Sequence, residues 1–91
     1  MILHIEHDPE RGRFQARVEG HLCVADYRLA DGVMHMHHTE VPSALEGRGI
    51  AAALVRAALA HAREQGYRVN PQCSYVRTYM RRHPETASLQ A

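Results

Sequence analysis

Over the first forty residues, apolar and polar positions alternate with the period of two that a half-buried strand imposes. Ile2 to His7 reads as a strand, and Asp8-Pro9-Glu10-Arg11-Gly12 as a turn, with proline presetting one dihedral and glycine free to take a positive φ. Arg13 to Glu19 places Phe14, Ala16 and Val18 on one face, and Gly20 breaks the run. Leu22 to Leu29 is a third β-rich run, closed by the hairpin signal Ala30-Asp31-Gly32. Val33 to Val41 is a fourth, stopped by Pro42. Four strands with short links predict an antiparallel meander.

After Pro42 the period changes. Gly47 to Gln65 is rich in alanine and leucine, both good helix formers. Ile50, Leu54 and Ala58 recur every four residues, as do Ala51, Val55 and Leu59, so the segment predicts a helix with one broad apolar face. Gly66 suits its C-cap. Tyr67 to Cys73 reads as a fifth strand interrupted by Pro71, and Ser74 to Arg82 as a second helix with Ser74 as N-cap. His83-Pro84 ends that helix, leaving residues 85–91 as a loosely held tail. The order β-β-β-β-α-β-α predicts an α/β (α+β) fold: a mixed sheet whose fifth strand returns parallel to the fourth through a right-handed crossover. With 91 residues and 45% apolar content, the chain is expected to form one small domain over residues 1–91.

Charge and cysteine content narrow the functional classes. A net charge of +1 argues against a dedicated nucleic-acid binder. The longest apolar stretch, Ile50 to Ala60, is too short to span a bilayer, and the N-terminus lacks the pattern of a secretory leader. Two cysteines, Cys23 and Cys73, are too few for a disulfide scaffold, so free thiols and a cytoplasmic location are expected.

The chemistry concentrates in Val41-Pro42-Ser43-Ala44-Leu45-Glu46-Gly47-Arg48-Gly49-Ile50-Ala51, where a strand ends, a loop with two glycines follows and a helix begins. A helix start presents unpaired N–H groups and the positive end of the helix dipole, which suits a phosphate or pyrophosphate. The amides of Gly47, Arg48, Gly49, Ile50 and Ala51 are therefore the candidate cradle, with the Arg48 side chain as a cation at its rim. The spacing fits neither a Walker A loop nor a dinucleotide fingerprint.

In context, this stretch resembles the acyl-CoA signature of the GNAT acetyltransferase superfamily, Arg/Gln-x-x-Gly-x-Gly/Ala. Gly49 and Ala51 match its last two fixed positions, while Glu46 stands where Arg or Gln is usual. His38-Thr39-Glu40-Val41 before the loop and Cys73-Ser74-Tyr75-Val76 after the fifth strand resemble a subfamily of very short GNAT-like proteins, as do Tyr79 and His83-Pro84-Glu85. The resemblance covers about residues 33–85. It implies an acetyl-CoA-dependent N-acetyltransferase acting on an unidentified amine, with coenzyme A as cofactor and Thr39 and Val41 pairing with the pantetheine arm. Ser74 and Tyr75 would also touch the cofactor. The resemblance further implies an acceptor side shorter than in larger relatives, which place two helices between their first two strands. That favours an exposed amine, such as one on a protein, or a site completed by a second copy.

Individual side chains carry alternative readings. Cys73, at a helix start that favours thiolate, is a candidate nucleophile that takes the acyl group and passes it on; equally, it is a small apolar residue at a strand end. Tyr79, with Tyr75 second, is the candidate acid that protonates the departing CoA thiolate; both rings also suit simple packing. Glu40, with His37 and His38, is within sequence reach to act as general base. His35 and His37 would face one way on a strand and His38 the other. Two such histidines fall short of the three or four ligands a metal needs, so no metal is assigned. Arg77, Arg81, Arg82 and His83 form a basic run that suits the CoA 3′-phosphate, an acidic partner or a solvated face. The rivals to an enzyme are a non-catalytic acyl-CoA sensor, a His-rich metal-binding domain and, least favoured, a nucleic-acid module.

Overall fold

A computed structural model describes residues 2–91. The chain runs β1 (Glu6–Asp8), β2 (Arg13–Val18), β3 (His21–Ala30), β4 (Val33–Glu40), a 3-10 turn (Ser43–Leu45), α1 (Ile50–Gln65), β5 (Arg68–Pro71), α2 (Ser74–Arg82) and a second 3-10 segment (Pro84–Leu89). The five strands lie in sequence order in one sheet, β1 to β4 antiparallel and β5 parallel to β4. This is the mixed sheet that the period change predicts. Two of the hairpins close on residue pairs with positive φ, Glu19-Gly20 and Asp31-Gly32, and such turns match the right-handed twist of the flanking strands.

The inward row of the sheet is set by the register. Phe14 pairs with Ala25, Ala16 with Cys23, Tyr27 with Met36 and Met34 with Val69, and all of these are buried. Against that face lie Ile50, Leu54, Val55, Ala58, Leu59 and Ala62 of α1 and Val76, Tyr79 and Met80 of α2, in one apolar cluster. The four-residue recurrence along α1 is the cause. It stacks its apolar side chains into a stripe wide enough to cover β2, β3 and β5. No helix among the described residues is long and apolar enough to cross a membrane.

Several boundaries differ from the sequence expectation. The first strand spans only Glu6–Asp8, because its register with β2 begins at Glu6 opposite Gln15. Before it, Leu3 and Ile5 pack against the core without a ladder partner. The helix expected from Gly47 starts at Ile50. Gly47 (φ 82°) and Gly49 (φ 78°) are left-handed, which an α-helix interior excludes, and Gly49 is the N-cap. Cys73, not Ser74, caps α2; Ser74 is its first helical residue, and no side chain bonds to the cap. β5 is shorter than Tyr67 to Cys73, ending at Pro71.

The tail is held rather than loose. Leu89 is buried, the buried Thr86 hydroxyl donates to the carbonyls of His83 and Met80, and the Ala91 amide donates to Val69 O at 2.8 Å. Arg68 also donates to the Gln90 carbonyl at 2.7 Å. Finally, the strict alternation expected for His35, His37 and His38 is interrupted. Asp26 pairs with His38 and Tyr27 with Met36, so His37 is the extra residue of a β-bulge.

Candidate active site

The bulge and the short β5 together shape the site. β5 pairs with β4 only from Val33 to Met36. Beyond Pro71 the chain leaves the sheet, the Cys73 amide making a last bond to Met36 O at 2.9 Å before α2 begins. β4 itself continues, paired with β3 through Thr39 and Glu40. Its far end therefore presents one edge with no strand beside it, and the backbone groups of that edge are open to an extended ligand.

A cleft of about 560 Å³ opens along this edge, lined by Thr39, Glu40, Val41, Leu45, Glu46, Gly47, Gly49, Ile50, Ala51 and Tyr75. One wall is the end of β4, another is the glycine loop and the first turn of α1, and Tyr75 of α2 closes a third side. The buried Leu45 and Ile50 form its apolar floor. Because Gly49 has no side chain to satisfy the first-turn N–H groups of α1, and no side-chain cap bond is made, those donors are free at the cleft. A Cβ on Gly47 or Gly49 would meet nothing within 4 Å, so their requirement is conformational rather than steric.

The structure brings most of the expected residues together. Thr39, Glu40, Val41, Gly47, Gly49, Ile50, Ala51 and Tyr75 all line the cleft. Arg48, Ser74 and Tyr79 do not. The Arg48 guanidinium turns to the carboxylate of Glu19 in the β2–β3 turn, so it is not a rim cation. Tyr79 lies one helical turn beyond Tyr75, about 6 Å along α2. There it is buried, stacked on His83 with ring centres 4.0 Å apart, and it lines a separate cavity. The expected ranking of the two tyrosines is thus reversed by position, since the cleft sits at the N-terminal ends of both helices.

Cys73 is half-buried beside the cleft, its Sγ 3.6 Å from the hydroxyl of Thr39. Burial opposes ionisation of this thiol. The amide of Val76, the Thr39 hydroxyl, the amide of Tyr75 and the amide of Thr39 outweigh it and hold the pKa below the ordinary cysteine value. Cys23 behaves oppositely: it is fully buried, and burial pushes its thiol up. Burial and the neighbouring Tyr79 raise Tyr75, partly offset by Arg82, so its phenol stays protonated at neutral pH. Glu40 accepts from His38 Nε2 at 3.1 Å, both side chains well exposed. His35 is engaged elsewhere, its Nδ1 3.0 Å from the side-chain amide of Asn70. Among the described residues no three His, Cys, Asp or Glu side chains gather as a metal-binding group.

Sequence reasoning missed Leu45 as part of the cleft, because a 3-10 turn in a proline-led loop has no periodic signature. It also missed the Thr39–Cys73 contact, which joins residues 34 apart.

Comparison with known proteins follows this geometry. The family model described as GCN5-related N-acetyl-transferase matches residues 13–89. Protein NATD1 of Mus musculus is 33% identical over 86 residues, spanning 90% of this chain and 77% of the relative. Protein NATD1 of Homo sapiens is likewise 33% identical over 86 residues, spanning 90% of this chain and 75% of the relative. Among solved structures, the solution structure of a GCN5-like protein from Staphylococcus aureus superposes with a TM-score of 0.77 at 24% identity, covering 98% of this chain and 88% of that one. At that identity the likeness establishes the fold.

Proposed function

Because the chain belongs to the GCN5-related N-acetyl-transferase family, we propose that residues 1–91 form one acyl-CoA-binding domain that transfers acetyl from acetyl-CoA to an amine. The observation that carries this reading is the cleft itself: an unpaired β4 edge leads to a helix start whose N–H groups are free. An extended pantetheine arm has amides that can pair with the edge at Thr39 and Val41. Its pyrophosphate then meets the loop amides of Gly47 and Gly49 and the first turn of α1, where the helix dipole favours negative charge.

In the transfer step the amine nitrogen attacks the thioester carbonyl. The oxyanion that develops is stabilised by a backbone N–H of the β4 edge. As the C–S bond breaks, the sulfur takes the phenolic proton of Tyr75, the tyrosine at the cleft. The proton lost by the amine passes to Glu40, with His38 as its hydrogen-bond partner. A second reading is favoured by the lowered pKa of Cys73. Its thiolate attacks the thioester, CoA departs, and the amine then takes the acetyl group from the Cys73 thioester. Only four residues, 9–12, link β1 to β2, so little of the chain walls off the acceptor. An exposed amine, such as one on a protein, suits such a site. The free thiols suit a reducing compartment such as the cytoplasm.

The test is calorimetric titration with CoA and acetyl-CoA, together with intact-protein mass spectrometry after incubation with acetyl-CoA, on the parent protein and Cys73→Ala. Binding with an acetyl adduct that disappears in Cys73→Ala supports the relay. Binding without an adduct, followed by transfer to an amine, supports direct attack, and absence of transfer to any amine reduces the protein to a sensor. Failure to bind either ligand refutes the proposal.

A further inference from the structure

The cleft has an electrostatic deficit. Its lining includes two carboxylates, Glu40 and Glu46, and no cationic side chain, because Arg48 is engaged by Glu19. A ligand with several phosphates gains only backbone amides there. The cations lie further along the same pair of helices. A second cavity of about 330 Å³ is lined by Arg56 and Arg63 of α1, Tyr79 and His83 of α2, and Glu85 beyond it. Ile50 and Ala51 of α1 and Tyr75 of α2 line the first cavity, so the two helices run side by side from one to the other. Arg56 is about 8 Å beyond Ala51 at about 1.5 Å per residue. Arg82 is close enough to Tyr75 to act on its phenol, which places another cation between the two sites.

We propose that the groove between α1 and α2 holds the 3′-phosphate of coenzyme A, with Arg56 as its principal partner and Arg63 and His83 beside it. This rests on the proposed occupancy of the cleft by CoA and deepens it, because it assigns the selection of CoA over its 3′-dephospho form. The disposition fits the ligand. With the pyrophosphate on the first turn of α1, the ribose continues away from the pantetheine arm, and its 3′-phosphate emerges on the groove side. Arg56 is exposed and makes no ion pair among the described residues, so its guanidinium is available for a phosphate. Arg63 is steadied in the groove by donating to the Glu85 carbonyl at 3.1 Å. Glu85 is the lone carboxylate on this lining, against two guanidiniums. Arg–phosphate bonds are charge-assisted and often bidentate, which makes arginine the side chain that distinguishes a phosphomonoester from a hydroxyl.

The experiment compares CoA with 3′-dephospho-CoA by calorimetry on the parent protein, Arg56→Gln and Arg56→Lys. The parent is expected to bind CoA about tenfold more tightly, the size of one partly exposed charge-assisted contact. Arg56→Gln should lose that advantage while keeping its affinity for dephospho-CoA, and Arg56→Lys should retain part of it. Equal affinity of the parent for both ligands overturns the inference but leaves the CoA cleft standing. So does an advantage that survives in Arg56→Gln. If dephospho-CoA and CoA both fail to bind, the reading of the cleft itself has failed, and the groove assignment falls with it.

Discussion

Gly12 and Gly32 offer a matched pair in which the same substitution should have unequal consequences. Both are left-handed, with φ of 67° and 77°. An alanine at either position suffers the left-handed strain of roughly 1–2 kcal/mol, partly offset by a lower unfolded-state entropy worth about 0.4–1 kcal/mol. At Gly32 nothing lies within 4 Å of the added Cβ, so the cost ends there, near 1 kcal/mol. At Gly12 the Cβ would fall 2.4 Å from the carbonyl oxygen of Tyr27, where real contacts under 3.0 Å are essentially absent. That carbonyl belongs to the middle of β3 and cannot swing aside. The Tyr27 amide donates to Gly12 O at 2.8 Å, and Tyr27 is itself paired with Met36. Relieving the overlap means shifting backbone and weakening that bond, which adds about 2–3 kcal/mol. Gly12→Ala should therefore lose roughly 3–4 kcal/mol and Gly32→Ala about 1. For a domain this small, the difference corresponds to a gap of about 8–20 °C in Tm. Urea denaturation followed by circular dichroism measures both. Equal midpoints for the two variants would refute the claim that Gly12 is required by close approach and not only by its dihedral.

Three further outcomes are expected. Iodoacetamide should alkylate Cys73 in the folded protein with a midpoint below that of an ordinary cysteine and spare Cys23; Thr39→Val should move the Cys73 midpoint upward, since it removes a hydrogen bond to the thiolate. A rate profile unmoved by Thr39→Val would show that the hydroxyl plays no such part. Arg48→Ala should leave CoA affinity within about twofold in calorimetry, because an exposed ion pair to Glu19 contributes little and the guanidinium does not line the cleft. A much larger loss would return Arg48 to the pyrophosphate. His7 is held below the ordinary histidine value of 6.5, first by burial and then by His61, with Asp8 opposing. The unfolded chain thus binds a proton that the folded state refuses, so His7's contribution to stability is present above about pH 6.5 and is lost as the pH falls towards the lowered folded value. Denaturation midpoints across that window should slope less in His7→Gln than in the parent; identical slopes would remove His7 as the cause.

How far the sequence alone reaches is clear from particular residues. Short-range periodicity and turn chemistry determined the element order, because both act within a few residues. Alternation in Arg13 to Val18, the positive-φ turns at Asp31-Gly32, the four-residue recurrence from Ile50 and the stop at Gly66 each declare a local preference. The glycine loop before α1 was legible for the same reason. Tertiary structure decided what those signals leave open. Arg48 has the charge for a phosphate, yet a carboxylate from a hairpin 29 residues away takes it. Tyr75 and Tyr79 share a helical face, and only the packing of α2 beside α1 and the end of β4 selects which one meets the cleft. The tail lacks periodicity but is held by Leu89 in the core and by backbone bonds to β5, contacts that depend on the completed sheet. The cleft itself exists because β5 stops at Pro71 while β4 continues, a mismatch between two strands that neither segment contains by itself. Local propensity is a property of neighbouring residues; partner choice, burial and the ends of pairing are properties of the assembled chain.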